Sequence, residues 1–259
     1  RMKSSSKPKS KAKKYDADVV VVGGGLSGMT ISALLGQAGL SVICLDQAPP
    51  QGPSGQIDLR TTAISYGSSK ILQKAGIWQK LKGARCPIED IQVLDGNSPV
   101  LLQFLSAEVD GKAFGWIVQN SDLRAAMQAR LAALPNVRYH TLAGVQSYSV
   151  QKDGIEIALA SGKSLRARLL IGADGRQSLI RTQMDVRTRG WTYGQQAVIC
   201  NIAHENPHHN AAVEHFWPEG PFAILPMADR PDGTHCSSIV FTEHINPRRR
   251  SKQSLSLMD

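Results

Sequence analysis

The sequence predicts an α/β fold: one domain built on a parallel sheet, with a mostly β domain inserted into it and following it. Three observations predict it. Four consecutive valines, Val19–Val22, run straight into Gly23-Gly24-Gly25-Leu26-Ser27-Gly28. A second apolar run, Ser41–Leu45, ends on Asp46, eighteen positions after the last of those glycines. Beyond Val137 the chain is mostly short β-branched or alternating runs divided by Gly, Pro, Asn and Asp.

The opening unit is the most specific. Valine is β-branched and suits a strand buried on both faces. Gly23 allows the tight turn, Gly25 lets the backbone approach a pyrophosphate, and Gly28 lets the following helix pack on the strand. That helix opens at Leu26 and Ser27, where free N–H groups and the positive end of the dipole face the phosphates. Asp46 closes the second strand and offers a carboxylate to both ribose hydroxyls. Strand, glycines, helix and distal acid together describe a Rossmann-like dinucleotide site. No charged residue occurs from Val19 to Leu45, a length that could span a bilayer. Six glycines, Ser27, Thr30, Ser32, Gln37 and Ser41 interrupt it, and its period changes from strand-like to helix-like, so the span reading is rejected.

Ala48-Pro49-Pro50-Gln51-Gly52-Pro53-Ser54-Gly55 is a loop by composition. Helical spacing over 65–82 is broken at Gly76, and strands are expected at Ile88–Leu94 and Val100–Leu105, around Asp95-Gly96-Asn97-Ser98-Pro99. Ser121 is the expected N-cap of a helix from Leu123 to Leu134, which Pro135 ends. Strands follow at Val137–His140, Val145–Gln151, Ile155–Leu159 and Ser164–Ile171. Four more are expected at Ala197–Ala203, Ala211–Phe216, Ala223–Leu225 and Ser237–Phe241. No internal repeat is present.

The 259 residues carry a formal net charge of +9, which suggests nucleic acid until it is located. Arg1, Lys3, Lys7, Lys9, Lys11, Lys13 and Lys14 crowd the first 14 residues, and Arg248, Arg249, Arg250 and Lys252 the last 13, leaving the body near neutral. The first segment has the composition of a disordered tail and no secretory h-region, and it is too lysine-rich for a transit peptide. It is read either as a contact for anionic lipid or as a solubilising tail. No aromatic residue interleaves with these charges, which argues against nucleic acid as a partner. Cys44, Cys86, Cys200 and Cys236 are widely spaced, as reduced cytoplasmic thiols would be.

A second constellation lies at 169–181, Leu-Leu-Ile-Gly-Ala-Asp-Gly-Arg-Gln-Ser-Leu-Ile-Arg. A strand enters the Gly172-Ala173-Asp174-Gly175 turn, then a short helix carries Ser178 and Arg181. Backbone N–H groups and a carboxylate could meet a polar ligand there, or the turn could be a plain surface one. Together with the glycine fingerprint it resembles the flavoprotein aromatic hydroxylases of the para-hydroxybenzoate hydroxylase type. Two further segments resemble the ubiquinone-biosynthesis hydroxylases among them. These are Asp58-Leu59-Arg60-Thr61-Thr62-Ala63-Ile64-Ser65-Tyr66-Gly67-Ser68, followed by Gly76-Ile77-Trp78 and Pro87-Ile88, and the block His215-Phe216-Trp217-Pro218-Glu219-Gly220-Pro221-Phe222-Ala223-Ile224-Leu225-Pro226-Met227. The resemblance runs from Tyr15 to His244.

The resemblance implies a glutathione reductase-type FAD-binding domain over 15–85 and 114–186. A β-rich substrate domain is implied over 86–113 and 187–246, with a basic tail at 1–14 and a basic end at 247–259. It implies a monooxygenase in which FAD, reduced by NAD(P)H or another donor, activates O₂ to hydroxylate a polyprenylated phenol. Gly23, Gly25, Leu26, Ser27 and Gly28 would hold the pyrophosphate and Asp46 the adenosine ribose. Arg60, Asn120, Arg124, Asp174 and Gly175 would be further cofactor contacts, with Arg60 otherwise a surface partner of Asp58 and Asn120 and Arg124 otherwise capping or solvent-facing. No general base is named. A polyprenyl substrate implies peripheral contact with the inner face of the membrane and company with other quinone-biosynthesis proteins. That family places a third motif, Gly-Asp followed by Ala-Ala-His, beyond this chain's last residue. The expectation is therefore a chain matching the first two-thirds of such an enzyme, with incomplete flavin-side contacts and impaired turnover. The alternatives are a noncatalytic nucleotide-binding scaffold of the same descent and a NAD-linked dehydrogenase, against which the 169–181 and 215–227 segments count.

His204-Glu205-Asn206-Pro207-His208 fits the H-E-x-x-H string of zinc peptidases. The motif needs both histidines on one helix face, and Pro207 sits inside the would-be turn of a strand-and-loop region, so the zinc reading is rejected.

Overall fold

A computed structural model describes residues 14–49, 58 and 60–244. In chain order they form β1 (Ala17–Val22), α1 (Leu26–Gln37), β2 (Val42–Leu45), β3 (Thr61–Ser65), α2 (Tyr66–Lys74), β4 (Arg85–Ile88), β5 (Asp90–Asp95), β6 (Leu101–Leu105), β7 (Gly115–Gln119) and α3 (Asn120–Ala132). Then come β8 (Val137–His140), β9 (Val145–Gln151), β10 (Gly154–Leu159), β11 (Ser164–Gly172), α4 (Leu179–Gln183), β12 (Gln195–His204), β13 (Ala211–Trp217), β14 (Gly220–Met227) and β15 (His235–His244). The chain divides into two compact units, residues 1–50 with 129–186 and residues 51–128 with 187–259. The expected basic tail, apart from Lys14, the loop at 50–57 and the basic end at 247–259 lie outside the described residues.

In the first unit β8, β2, β1 and β11 lie side by side in parallel, and the antiparallel β10 and β9 extend the β11 edge. Val20, Val21 and Cys44 have no exposed surface, which is why these strands read as continuous apolar runs rather than alternating ones. Each such valine contributes about 1.5–3 kcal/mol by leaving water. α1 packs on the sheet through the buried Met29 and Ala33. Two of its hydroxyls are satisfied within the helix: Ser32 Oγ donates to the Gly28 carbonyl at 2.7 Å and Thr30 Oγ1 to the Leu26 carbonyl at 2.7 Å. No helix among the described residues is long and apolar enough to cross a membrane.

The second unit holds a six-stranded sheet in the order β12-β15-β14-β13-β5-β6 and a three-stranded antiparallel sheet in the order β3-β7-β4. The larger sheet is antiparallel except where β13 runs parallel to β5. Ile88 and Ile117 of the small sheet form a core with Ala212, and Ile91, Leu225 and Met227 pack against it.

Residues 51–85 and 114–128 lie in the second unit, where β3 and β4 both pair with β7. The strand expected over Ile88–Leu94 is two strands, broken at Glu89, whose N–H turns to the Asn210 carbonyl at 2.9 Å. The helix expected from Leu123 with a Ser121 cap starts earlier, at Asn120. Asn120 N–H is already bonded to the Arg60 carbonyl and its side chain to Thr62, so the chain turns directly off β7.

Candidate functional site

The glycine run does different work at each position. Gly23 has φ of +108°, and a Cβ there would fall 2.2 Å from the Ala173 carbonyl oxygen, so only glycine fits the turn off β1. Its N–H donates to the Leu45 carbonyl at 2.8 Å, and Ala173 N–H donates to the Val22 carbonyl at 2.7 Å. The same imagined Cβ lies 2.7 Å from Asp174 N, so the fold brings the glycine run and the Asp174-Gly175 turn together across some 150 residues of chain. A Cβ on Gly28 would fall 1.7 Å from the Gly23 carbonyl oxygen, and this is the close helix–strand approach the spacing predicts. Gly25 differs. Its φ of −73° and ψ of −176° suit any residue, and a Cβ there would have nothing within 4 Å.

Gly25 is also the N-cap of α1, and no side chain caps that end. No acidic residue stands in the first turn either. Leu26 is half-buried and Ser27 exposed at the helix start. A twelve-residue helix thus presents its N-terminal N–H groups and the positive end of its dipole beside open space. An anionic group such as a pyrophosphate fits that cradle.

Asp46 follows β2 and is buried; its Oδ1 accepts Ala48 N–H at 3.0 Å and its Oδ2 the Tyr139 hydroxyl at 3.3 Å. It lies against the run itself, since a Cβ on Gly24 would be 2.5 Å from Asp46 Oδ2. Asp174 stands in the turn after β11. Its Oδ2 accepts Ile180 N–H at 3.2 Å, whereas its Oδ1 is buried with no hydrogen-bond partner among the described residues. Burial pushes the Asp174 carboxyl up, but the Ser178 hydroxyl and the backbone N–H groups around it prevail and hold it below the usual range. Ser178 also caps α4, accepting Arg181 N–H at 3.0 Å. Gly175, at φ of +83°, is exposed with open space around it. An uncapped helix end, an open glycine, a buried carboxylate with free acceptor sites and an orphaned carboxylate oxygen fit a dinucleotide.

Arg60, Asn120 and Arg124 belong to the second unit. Arg60 forms a two-pronged ion pair with Asp58, Nε to Oδ1 and Nη2 to Oδ2, both at 2.8 Å. Asn120 donates Nδ2–H to Asp58 Oδ2 at 3.2 Å and accepts the Thr62 hydroxyl at 2.6 Å. The Arg60 guanidinium, with Asn120 helping, holds the Asp58 carboxyl down to about 2. Arg124 is half-buried on α3.

His204 ends β12 and His208 lies in the turn after it, so no helix aligns them. His204 bonds the Asn206 carbonyl at 2.7 Å and Ser237 Oγ at 2.9 Å. Among the described residues no group of three or more His, Cys, Asp or Glu is placed to hold a metal ion. Gly24 and Tyr139 went unnoticed in the sequence. Gly24 could have been found from the tripled glycine, because the fingerprint requires only its neighbours; nothing in the sequence marks Tyr139.

Residues 16–255 match the FAD binding domain family. Over 228 residues the chain is 40% identical to the ubiquinone hydroxylase UbiL of Rhodospirillum rubrum, covering 88% of this chain and 52% of that protein. It is 29% identical over 215 residues to the 3-demethoxyubiquinol 3-hydroxylase of Escherichia coli, covering 82% of this chain and 55% of that one. The chain spans about half the length of the curated relatives it matches. Among solved structures, PqsL, a probable FAD-dependent monooxygenase of Pseudomonas aeruginosa, superposes with a TM-score of 0.74 at 18% identity, covering 92% of this chain and 62% of PqsL. The p-nitrophenol 4-monooxygenase PnpA of Pseudomonas putida gives 0.74 at 21% identity, covering 91% and 60%. These two likenesses establish the fold.

Proposed function

The chain belongs to the FAD binding domain family, and we propose that it forms the cofactor-binding and substrate-domain part of an FAD-dependent hydroxylase of ubiquinone biosynthesis. The substrate is a polyprenylated phenol. The observation that carries the reading is Gly25: no neighbour and no dihedral requires glycine there, so a ligand approaching the uncapped helix end is what excludes a side chain.

In this reading Gly23, Gly25, Leu26, Ser27 and Gly28 line the pyrophosphate, and Asp46 accepts the ribose hydroxyls. Asp174 and Gly175 contribute a carboxylate oxygen and an unencumbered backbone turn. Arg60, Asn120 and Arg124 are proposed cofactor contacts on the family resemblance alone. Bound FAD would supply the activation of O₂, with electrons from NAD(P)H or another donor. The protein's part is to bind, orient and exclude water, and it needs no nucleophile–base pair. A polyprenyl tail on the substrate, together with seven basic residues in the first 14, favours peripheral attachment to an anionic cytoplasmic membrane face. Contact with other quinone-biosynthesis proteins belongs to the same reading. Loss of liposome sedimentation on deleting residues 1–14 checks the attachment, and unchanged sedimentation contradicts it.

The function is tested by supplying the FAD-loaded protein with NADH or NADPH, O₂ and a short-chain prenylated phenol. The expected result is slow phenol-dependent consumption of reductant and a product one oxygen atom heavier. An FAD-loaded protein that leaves every such phenol unchanged overturns the proposal.

A further inference from the structure

Asp46 is usable for a ribose only if its carboxylate is held at one rotation, and a short loop-start side chain has little to hold it. Two donors do so here. Ala48 N–H reaches Oδ1 at 3.0 Å from the same loop, and Tyr139 reaches Oδ2 at 3.3 Å from the neighbouring strand. Tyr139 is delivered by the sheet: β8 pairs in parallel with β2, setting Tyr139 beside Cys44, and Asp46 N–H donates to the His140 carbonyl at 2.8 Å. The register that ends β2 therefore also sets the tyrosine.

Its ring also borders the glycine run. An imagined Cβ on Gly24 would lie 2.7 Å from Tyr139 Cε2 and 2.6 Å from Asp46 Cβ. The tyrosine and the aspartate together occupy the space a side chain at position 24 would need, and this explains a glycine the nucleotide fingerprint does not ask for.

We infer that Tyr139 is a positioning residue for nucleotide recognition, acting through Asp46; the inference rests on the FAD reading above. A carboxylate has about four acceptor sites. With Ala48 N–H on one oxygen and the Tyr139 hydroxyl on the other, one site remains on each, matching the two hydroxyls of a ribose. Without the tyrosine hydroxyl the carboxylate is held by Ala48 N–H alone, and the nucleotide loses part of the contribution of its ribose rather than of its phosphates.

The experiment compares ADP with 2′,3′-dideoxy-ADP by calorimetry on the wild-type chain, Tyr139→Phe and Tyr139→Leu. Both variants lack the hydroxyl, and either one that melts as the wild type does is sufficient. The wild type is expected to prefer ADP. In a folded variant ADP affinity is expected to fall by about threefold to tenfold, while dideoxy-ADP affinity is unchanged, so the preference collapses toward one. A folded variant that keeps the wild-type preference overturns the role of Tyr139 and leaves the cofactor reading standing. A wild-type chain that binds neither ADP nor FAD overturns both.

Discussion

A Cβ on Gly28 would lie 1.7 Å from the carbonyl oxygen of Gly23, a backbone atom with nowhere to retreat. Gly28→Ala is therefore expected to cost about 1–3 kcal/mol or more in urea unfolding, as overpacked sites do. Gly25→Ala, with nothing within 4 Å and an ordinary φ, is expected to unfold at the wild-type midpoint while losing FAD affinity. Equal destabilisation by both substitutions would contradict the separate roles given to them.

Asp58 titrates at about 2 in the folded chain, because Arg60 and Asn120 hold it ionised, against about 3.9 for an unconstrained aspartate. A lowered folded value stabilises above the unfolded one, and that share is lost as pH falls from about 4 through about 2. Urea midpoints followed into acid should fall less steeply for Asp58→Asn than for the wild type. Parallel curves would remove Asp58 from the account.

His208 joins two corners of the second unit. Nε2–H donates to the Met227 carbonyl at 3.0 Å, and Nδ1 accepts Asn210 N–H at 3.1 Å. Asn210 in turn accepts Glu89 N–H on its carbonyl at 2.9 Å while held at φ of +57°. His208→Ala leaves these backbone groups unpaired and is expected to cost about 2 kcal/mol in denaturant unfolding. A cost within error of zero would show that the corner holds without it.

Thiol reactivity should divide sharply. Burial pushes the Cys44 thiol up to about 11 and the Cys86 thiol up to about 12, whereas Cys200 is exposed on β12. Iodoacetamide on the native protein near neutral pH, read by peptide mass mapping, should modify Cys200 and spare Cys44 and Cys86. Rapid labelling of Cys44 would mean that β2 is not the buried strand described.

What the sequence made legible was local and strongly periodic. Val19–Val22, the glycines and Asp46 are tied by one strand–helix–strand geometry, so their spacing alone implies their proximity. Val137–His140 and Val145–Gln151 are strands with the bounds their composition suggests. Long-range pairing was not legible. Nothing in Thr61–Ser65 says that it pairs with the distant Gly115–Gln119. The start of α3 is hidden for a similar reason, since Thr62 and Arg60 hold Asn120 from a distant segment. Tyr139 was invisible because its significance lies in the neighbouring strand's register, not in its own surroundings.

Whether the glycine run and Asp46 bind FAD is read from an FAD titration of the purified chain, by the flavin absorption band and by fluorescence. Saturable binding of one FAD per chain is expected, much weakened in Gly25→Ala although that variant folds. No binding by the wild-type chain, or equal binding by Gly25→Ala, would contradict it.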